Sequence, residues 1–107
     1  MAHLSFIAHA YVWGGESPQR ILPEVIADPW VKLSKYLGRP PILSYASYCL
    51  DNWYKINKDE PVSLDNVALI NNFLGGVDED WFVTIHVCIE DAANDAIDSA
   101  CKLSFLN

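Results

Sequence analysis

The sequence predicts an all-α fold. Three observations carry that expectation. Apolar residues recur at helical rather than alternating spacing, glycine and proline punctuate the chain at helix-length intervals, and no segment alternates well enough to be read as a strand. The chain has 107 residues, of which 51% are hydrophobic and 12% aromatic. That length holds one domain, and that composition is not that of a disordered chain. Against 14 acidic residues stand 7 basic ones, for a net charge of −7. Such a balance speaks against nucleic-acid binding, which needs a basic face, and against adhesion to an anionic membrane surface.

The first helix is expected from about Leu4 to Trp13 and ends at Gly14-Gly15. The apolar run from Met1 to Trp13 is too short to span a bilayer, and it has no basic flank and no cleavage site. A cytoplasmic location is therefore expected. A loop through Pro18 leads to Leu22-Pro23. Residues Glu24 to Leu37 follow, and Pro29 should end or kink a helix there. Gly38 closes that segment. Pro40-Pro41 opens a third helix, with Pro41 suited to its first turn, and this helix runs to about Tyr54. Residues Lys55 to Val62 read as a surface loop. Ser63 suits the N-cap of a short helix ending at Gly75-Gly76. Asp78 is expected to cap the last and longest helix, with Asp78, Glu79 and Asp80 at its positive end.

Two helices have informative faces. On the last, Phe82, Ile85, Ile89, Ala93, Ala96 and Ala100 form one apolar stripe, with Asp91, Asp95 and Asp98 opposite. His86 falls near the middle of that stripe. On the third, Tyr45, Tyr48, Cys49 and Asn52 share a face, and Leu43 and Leu50 lie on the other. A helix apolar nearly all round is expected to be buried inside something.

The cysteines, Cys49, Cys88 and Cys101, are odd in number and form no C-x-x-C pair, so buried free thiols are expected. No metal site is read, since His3, His9 and His86 lack ligand spacing to them. Two readings of His86 stay open on the residues alone. It is a core histidine bonded to a carbonyl, or a pocket histidine that meets a ligand beside the Phe82 ring. The tyrosine face likewise reads as packing or as a cavity lining, because buried hydroxyls need partners. Cys49 has no basic neighbour in sequence to activate it and reads as packing.

Beyond these local patterns, HAYVWGG (His9 to Gly15), IADPW (Ile26 to Trp30), LSKYLGRPPILSYASYCLDNW (Leu33 to Trp53) and GGVDEDWFVTIHVCIEDAA (Gly75 to Ala93) succeed one another in the order and spacing of one family. Up to about Ala96 the chain resembles the indoleamine 2,3-dioxygenases. The resemblance implies an all-helical haem enzyme that inserts O₂ across the indole C2–C3 bond of L-tryptophan, or of a related indole, to give N-formylkynurenine. It also implies which part this chain is: the distal side, above the haem. By position, Tyr45 and Phe82 would be aromatic walls of the indole pocket, and Tyr48 and Cys49 would line the haem's distal face. His86 would accept a hydrogen bond from the indole N–H. The family's proximal iron ligand, an arginine for the substrate carboxylate and a closing loop lie downstream of the matching segment.

The expectation is therefore a single partial domain over residues 1–107, completed by a missing C-terminal domain or a second chain. The tail from Ser99 to Asn107 looks less like the family. The alternative is a non-catalytic helical module that binds a small aromatic ligand or a protein through Tyr45, Tyr48 and His86. A third possibility is an inert fragment, on which Trp30, Trp53 and Leu50 would form an exposed apolar patch.

Overall fold

The computed structural model describes residues 1–104. Residues 105–107 of the atypical tail lie outside them. The order is α1 (Ala2–Trp13), α2 (Glu24–Leu37), a π-helical turn (Ala46–Leu50), β1 (Trp53–Lys55), β2 (Val67–Leu69) and α3 (Val77–Ser104). The fold is predominantly helical, as expected, with one short hairpin that the sequence reading did not foresee.

Helices α1 and α2 meet through Trp30. Its indole is 5% exposed, and its Nε1 donates to Ser5 Oγ at 3.1 Å. Ser5 in turn donates to the Met1 carbonyl at 3.2 Å, so both buried polar groups are satisfied. Trp30 is thus a packing anchor and not part of an exposed patch. Leu50 and Trp53 are also partly buried, against the core.

Pro29 neither ends nor breaks α2. It removes one intrahelical bond, to the carbonyl of Val25, but Val25 is 81% exposed and water can serve that group. At its far end Gly38 adopts a left-handed conformation, φ 64°, and the amide of Arg39 reaches back to the Ser34 carbonyl at 3.1 Å. This Schellman closure needs the glycine, because a Cβ would oppose that backbone angle.

The third helix expected over Pro41 to Tyr54 is replaced by a single widened turn. Its defining bond runs from Asp51 N to Ala46 O at 2.7 Å, five residues back. The chain then extends into β1 instead of continuing as helix. No helix starts at Ser63 either, and β2 lies in that stretch. The strands are antiparallel, with Trp53 opposite Leu69 and Lys55 opposite Val67. Three residues per strand are too few for alternation to stand out in the sequence.

Asparagine side chains hold the hairpin at both ends. Asn52, fully buried, donates through Nδ2 to the Asn71 carbonyl and accepts the Asn71 amide through Oδ1, both at 2.8 Å. At the loop end, Asn66 Oδ1 accepts the Asn57 amide at 2.7 Å, and its Nδ2 donates to Pro61 O at 2.8 Å. Amide side chains stand in for backbone partners here, which fixes a turn without helix or ladder.

The core comprises Cys49, Val67, Val83 and Val87, with Tyr48, Leu50 and Trp53 packed around it. Each fully buried aliphatic side chain stabilises by about 1.5–3 kcal/mol. Val83 and Val87, four apart on α3, make its buried seam. The stripe expected to be buried is turned outward instead: Phe82 and Ile89 are 49% and 57% exposed. Valine at adjacent turns fits the close approach of the hairpin and the π-helical turn, whereas the larger side chains stand clear of it. The second half of α3 projects beyond the rest. The radius of gyration is accordingly 17.0 Å, where about 13 Å is usual for a compact chain of this length.

The cysteines are free, but only Cys49 is fully buried, and Cys101 is exposed. Among the described residues, no group of three or more His, Cys, Asp or Glu is placed to hold a metal ion, and no helix is long and apolar enough to cross a membrane.

Candidate functional site

The π-helical turn and the first turns of α3 lie side by side, and between them they assemble an aromatic row. The His86 and Phe82 rings lie 4.5 Å apart at 45°. Tyr45 meets His86 edge-on, at 5.7 Å and 72°. Behind Phe82 stands Tyr48, 5.9 Å away, and Tyr48 stacks in turn on Phe73 (6.2 Å) and Phe6 (5.6 Å). Four of the five residues singled out from the sequence therefore share one surface. The fifth, Cys49, does not reach it. It is fully buried among the core valines, and burial pushes its thiol up from the ordinary value.

His86 Nδ1 bonds the backbone carbonyl of Phe82. A carbonyl only accepts, so this bond places a hydrogen on Nδ1, and in that tautomer Nε2 is left as an acceptor. The carbonyl bond of the first reading is present, and the ring is partly exposed beside Phe82 and Tyr45.

Two tyrosine–carboxylate bonds cross between the elements. Tyr45 Oη donates to Glu90 Oε1 at 3.0 Å, and Tyr48 Oη donates to Glu79 Oε1 at 3.2 Å. Desolvation, then the nearby carboxylate, raises both phenols, with Tyr48 pushed up to about 12. Burial pushes the Glu79 carboxyl up. The amides of Phe73, Leu74 and Gly75 and the Tyr48 hydroxyl outweigh it and hold the group below its ordinary value.

Glu79, Glu90 and Phe73 escaped the sequence reading as site residues. Glu79 had a usable signal. It is the third residue of α3, and a glutamate there reaches back to amides ahead of the helix. Asp78, expected as the cap, instead lies within the first turn. Glu90 had a weaker signal, one turn beyond His86. Phe73 had none, since its place depends on the loop after β2.

A family model described as indoleamine 2,3-dioxygenase matches residues 1–104. The chain belongs to the indoleamine 2,3-dioxygenase family. It is 40% identical over 101 residues to indoleamine 2,3-dioxygenase 1 of Mus musculus, covering 91% of this chain and 25% of that protein. It is equally 40% identical over 103 residues to indoleamine 2,3-dioxygenase of Saccharomyces cerevisiae, covering 92% and 22%. Indoleamine 2,3-dioxygenase 2 of Homo sapiens is 36% identical over 97 residues, covering 87% and 24%. The chain thus spans about a quarter of the length of the curated indoleamine 2,3-dioxygenases it matches.

Proposed function

We propose that this chain forms the distal, substrate-facing wall of a haem-dependent dioxygenase that converts L-tryptophan to N-formylkynurenine. The observation that carries the reading is the His86 arrangement, in which a hydrogen-bond acceptor is held between two aromatic rings on an open face. An indole has the complementary features, a flat apolar ring and one N–H donor. Phe82 and Tyr45 would flank the ring, and His86 Nε2 would accept the indole N–H and fix which edge turns toward the oxygen. Stacked aromatic pairs contribute about 0.5–1.5 kcal/mol beyond area burial, and a net hydrogen bond about 1 kcal/mol, so the wall orients more than it binds.

A haem would lie across this face. Tyr45 and Phe82 are about half exposed, and their rings can lie against a planar macrocycle. Bound haem would supply the iron that carries O₂. The residues here would cover its distal side and exclude water, with Tyr48 and Cys49 as backing. Completion of the site by further chain, from the same polypeptide or a second one, belongs to the same proposal.

The alternative is a module that binds an aromatic ligand without chemistry, and the open face is compatible with it. A chimaera decides. Residues 1–104 replace the matching segment of the Mus musculus relative, and N-formylkynurenine formation is measured. The proposal expects turnover that falls with His86→Ala and a KM for tryptophan that rises with Phe82→Ala. Unchanged kinetics in both variants would remove the assignment, and a folded but inactive chimaera that still binds indole would favour the module.

A further inference from the structure

Glu79 hydrogen-bonds both the loop after β2 and the aromatic row, where Phe6 also packs on Phe73 at 4.8 Å and on Tyr48 at 5.6 Å. Its Oε1 accepts the Phe73 amide at 2.7 Å and the Tyr48 hydroxyl at 3.2 Å. Its Oε2 accepts the Leu74 amide at 2.9 Å and the Gly75 amide at 3.1 Å. Four donors converge on a carboxylate with about four lone-pair positions, so the group is saturated. Gly75 makes the convergence possible, because its left-handed φ of 70° turns the loop back over the start of α3.

The consequence lies in what these bonds orient. The Phe73 amide fixes the backbone that carries the Phe73 ring, and that ring stacks on Tyr48 at 17°. The Tyr48 hydroxyl bond sets the other end of the same ring, which backs Phe82. Phe82 is one turn beyond Glu79 on α3 and directly beside His86. One carboxylate thus anchors the Tyr48 hydroxyl and the Phe73 backbone, whose rings stack on each other and on Phe6 behind Phe82.

We infer that Glu79 is a positioning residue for the aromatic wall: through Tyr48 and Phe73 it sets the plane of Phe82 and with it the opening beside His86. This rests on the reading of that face as an indole site, but the ring geometry can be tested without any ligand. Glu90 makes one comparable bond, to Tyr45, at an exposed rim where it is readily replaced by water. Glu79 differs in coupling backbone and ring at once.

The two roles open to Glu79, helix cap and ring positioner, separate in a pair of variants. Tyr48→Phe deletes only the hydroxyl and leaves three amides on the carboxylate. Glu79→Gln keeps the size but sets an amide NH₂ against backbone N–H donors. NMR of the full chain reads the amides of residues 73–75, the ring protons of Phe82 and His86, and the methyls of Val83 and Val87 as a folding control. The expected result is that Tyr48→Phe moves the Phe82 and His86 ring signals while the 73–75 amides keep their shifts, and that Glu79→Gln moves both sets. Rings that stay in place in Tyr48→Phe, with or without a folded Glu79→Gln, overturn the inference and leave Glu79 a helix cap. A parallel titration with indole separates the two proposals. Weaker binding in Tyr48→Phe than in the unaltered chain supports positioning. No binding by the unaltered chain counts against the indole site, and the ring shifts still decide the role of Glu79.

Discussion

His86 donates its Nδ1 proton to the carbonyl of Phe82, one turn earlier on α3, and the two rings lie 4.5 Å apart. One local bond therefore sets the ring orientation and the neighbour of the imidazole together. It requires only the i, i+4 spacing of a helix, with no contribution from the remainder of the fold.

The first prediction concerns that pair. In the isolated chain, His86→Ala should weaken indole binding by roughly the value of one hydrogen bond, about 1 kcal/mol or some fivefold. Phe82→Ala should weaken it by a similar amount through lost stacking. Because Phe82 is half exposed, its removal should lower the urea midpoint much less than a core truncation does. A large loss of stability in Phe82→Ala would show that the ring supports the fold.

Trp30 supplies that core comparison. It is buried against α1 and bonded to Ser5. Trp30→Ala should cost about 3–5 kcal/mol by urea unfolding. Ser5→Ala should cost less, about 1–3 kcal/mol, by leaving the indole N–H unpaired.

Pro29 offers a prediction of opposite sign. Restoring the missing amide with Pro29→Ala should raise stability by about 0.5–2 kcal/mol, read as a higher thermal midpoint. A lower midpoint would mean that the proline shapes the approach of α2 to α1.

Two titrations bound the pH range. The folded-state value of Glu79 lies below its unfolded one, so its contribution is present above the unfolded value and lost as pH falls through the folded one. Glu79→Gln should lower stability at neutral pH and flatten the acid limb of the stability profile. Tyr48 runs the other way. Its value rises from 10.0 to about 12, so its contribution is complete below 10.0 and lost as pH climbs through about 12. Tyr48→Phe should remove that alkaline loss, measured as the denaturation midpoint against pH.

The cysteines give a check on the buried seam. Iodoacetamide should label the exposed Cys101 first, Cys88 more slowly, and Cys49 only when the chain unfolds. Early labelling of Cys49 would show that the π-helical turn opens in the native state.

What could be read in the sequence divides along a physical line. Features set within one turn were legible: the Gly38 stop, the helix carrying His86, and the spacing of Phe82 and His86. Features set by partners distant in sequence were not. The helix expected through Tyr54 gives way to a π-helical turn and a strand because Asn52 finds Asn71, nineteen residues on. The stripe on α3 was read from helical spacing alone, yet the buried seam is Val83 and Val87, which face Cys49 of the π-helical turn and Val67 of β2, partners distant in sequence. The structure brings the rings of Tyr45, Tyr48, Phe82 and His86 into one row. Cys49, which the resemblance put on the haem's distal face, lies instead in the core with Val67, Val83 and Val87, as its lack of basic neighbours had suggested.

The central claim is that His86 offers Nε2 to an indole N–H, and long-range ¹H–¹⁵N NMR of the histidine rings tests it most directly. The account predicts that free His86 carries its proton on Nδ1, and that indole shifts the Nε2 resonance while 1-methylindole, which has no N–H, does not. A proton found on Nε2 in the free chain, or equal shifts with both compounds, would contradict it.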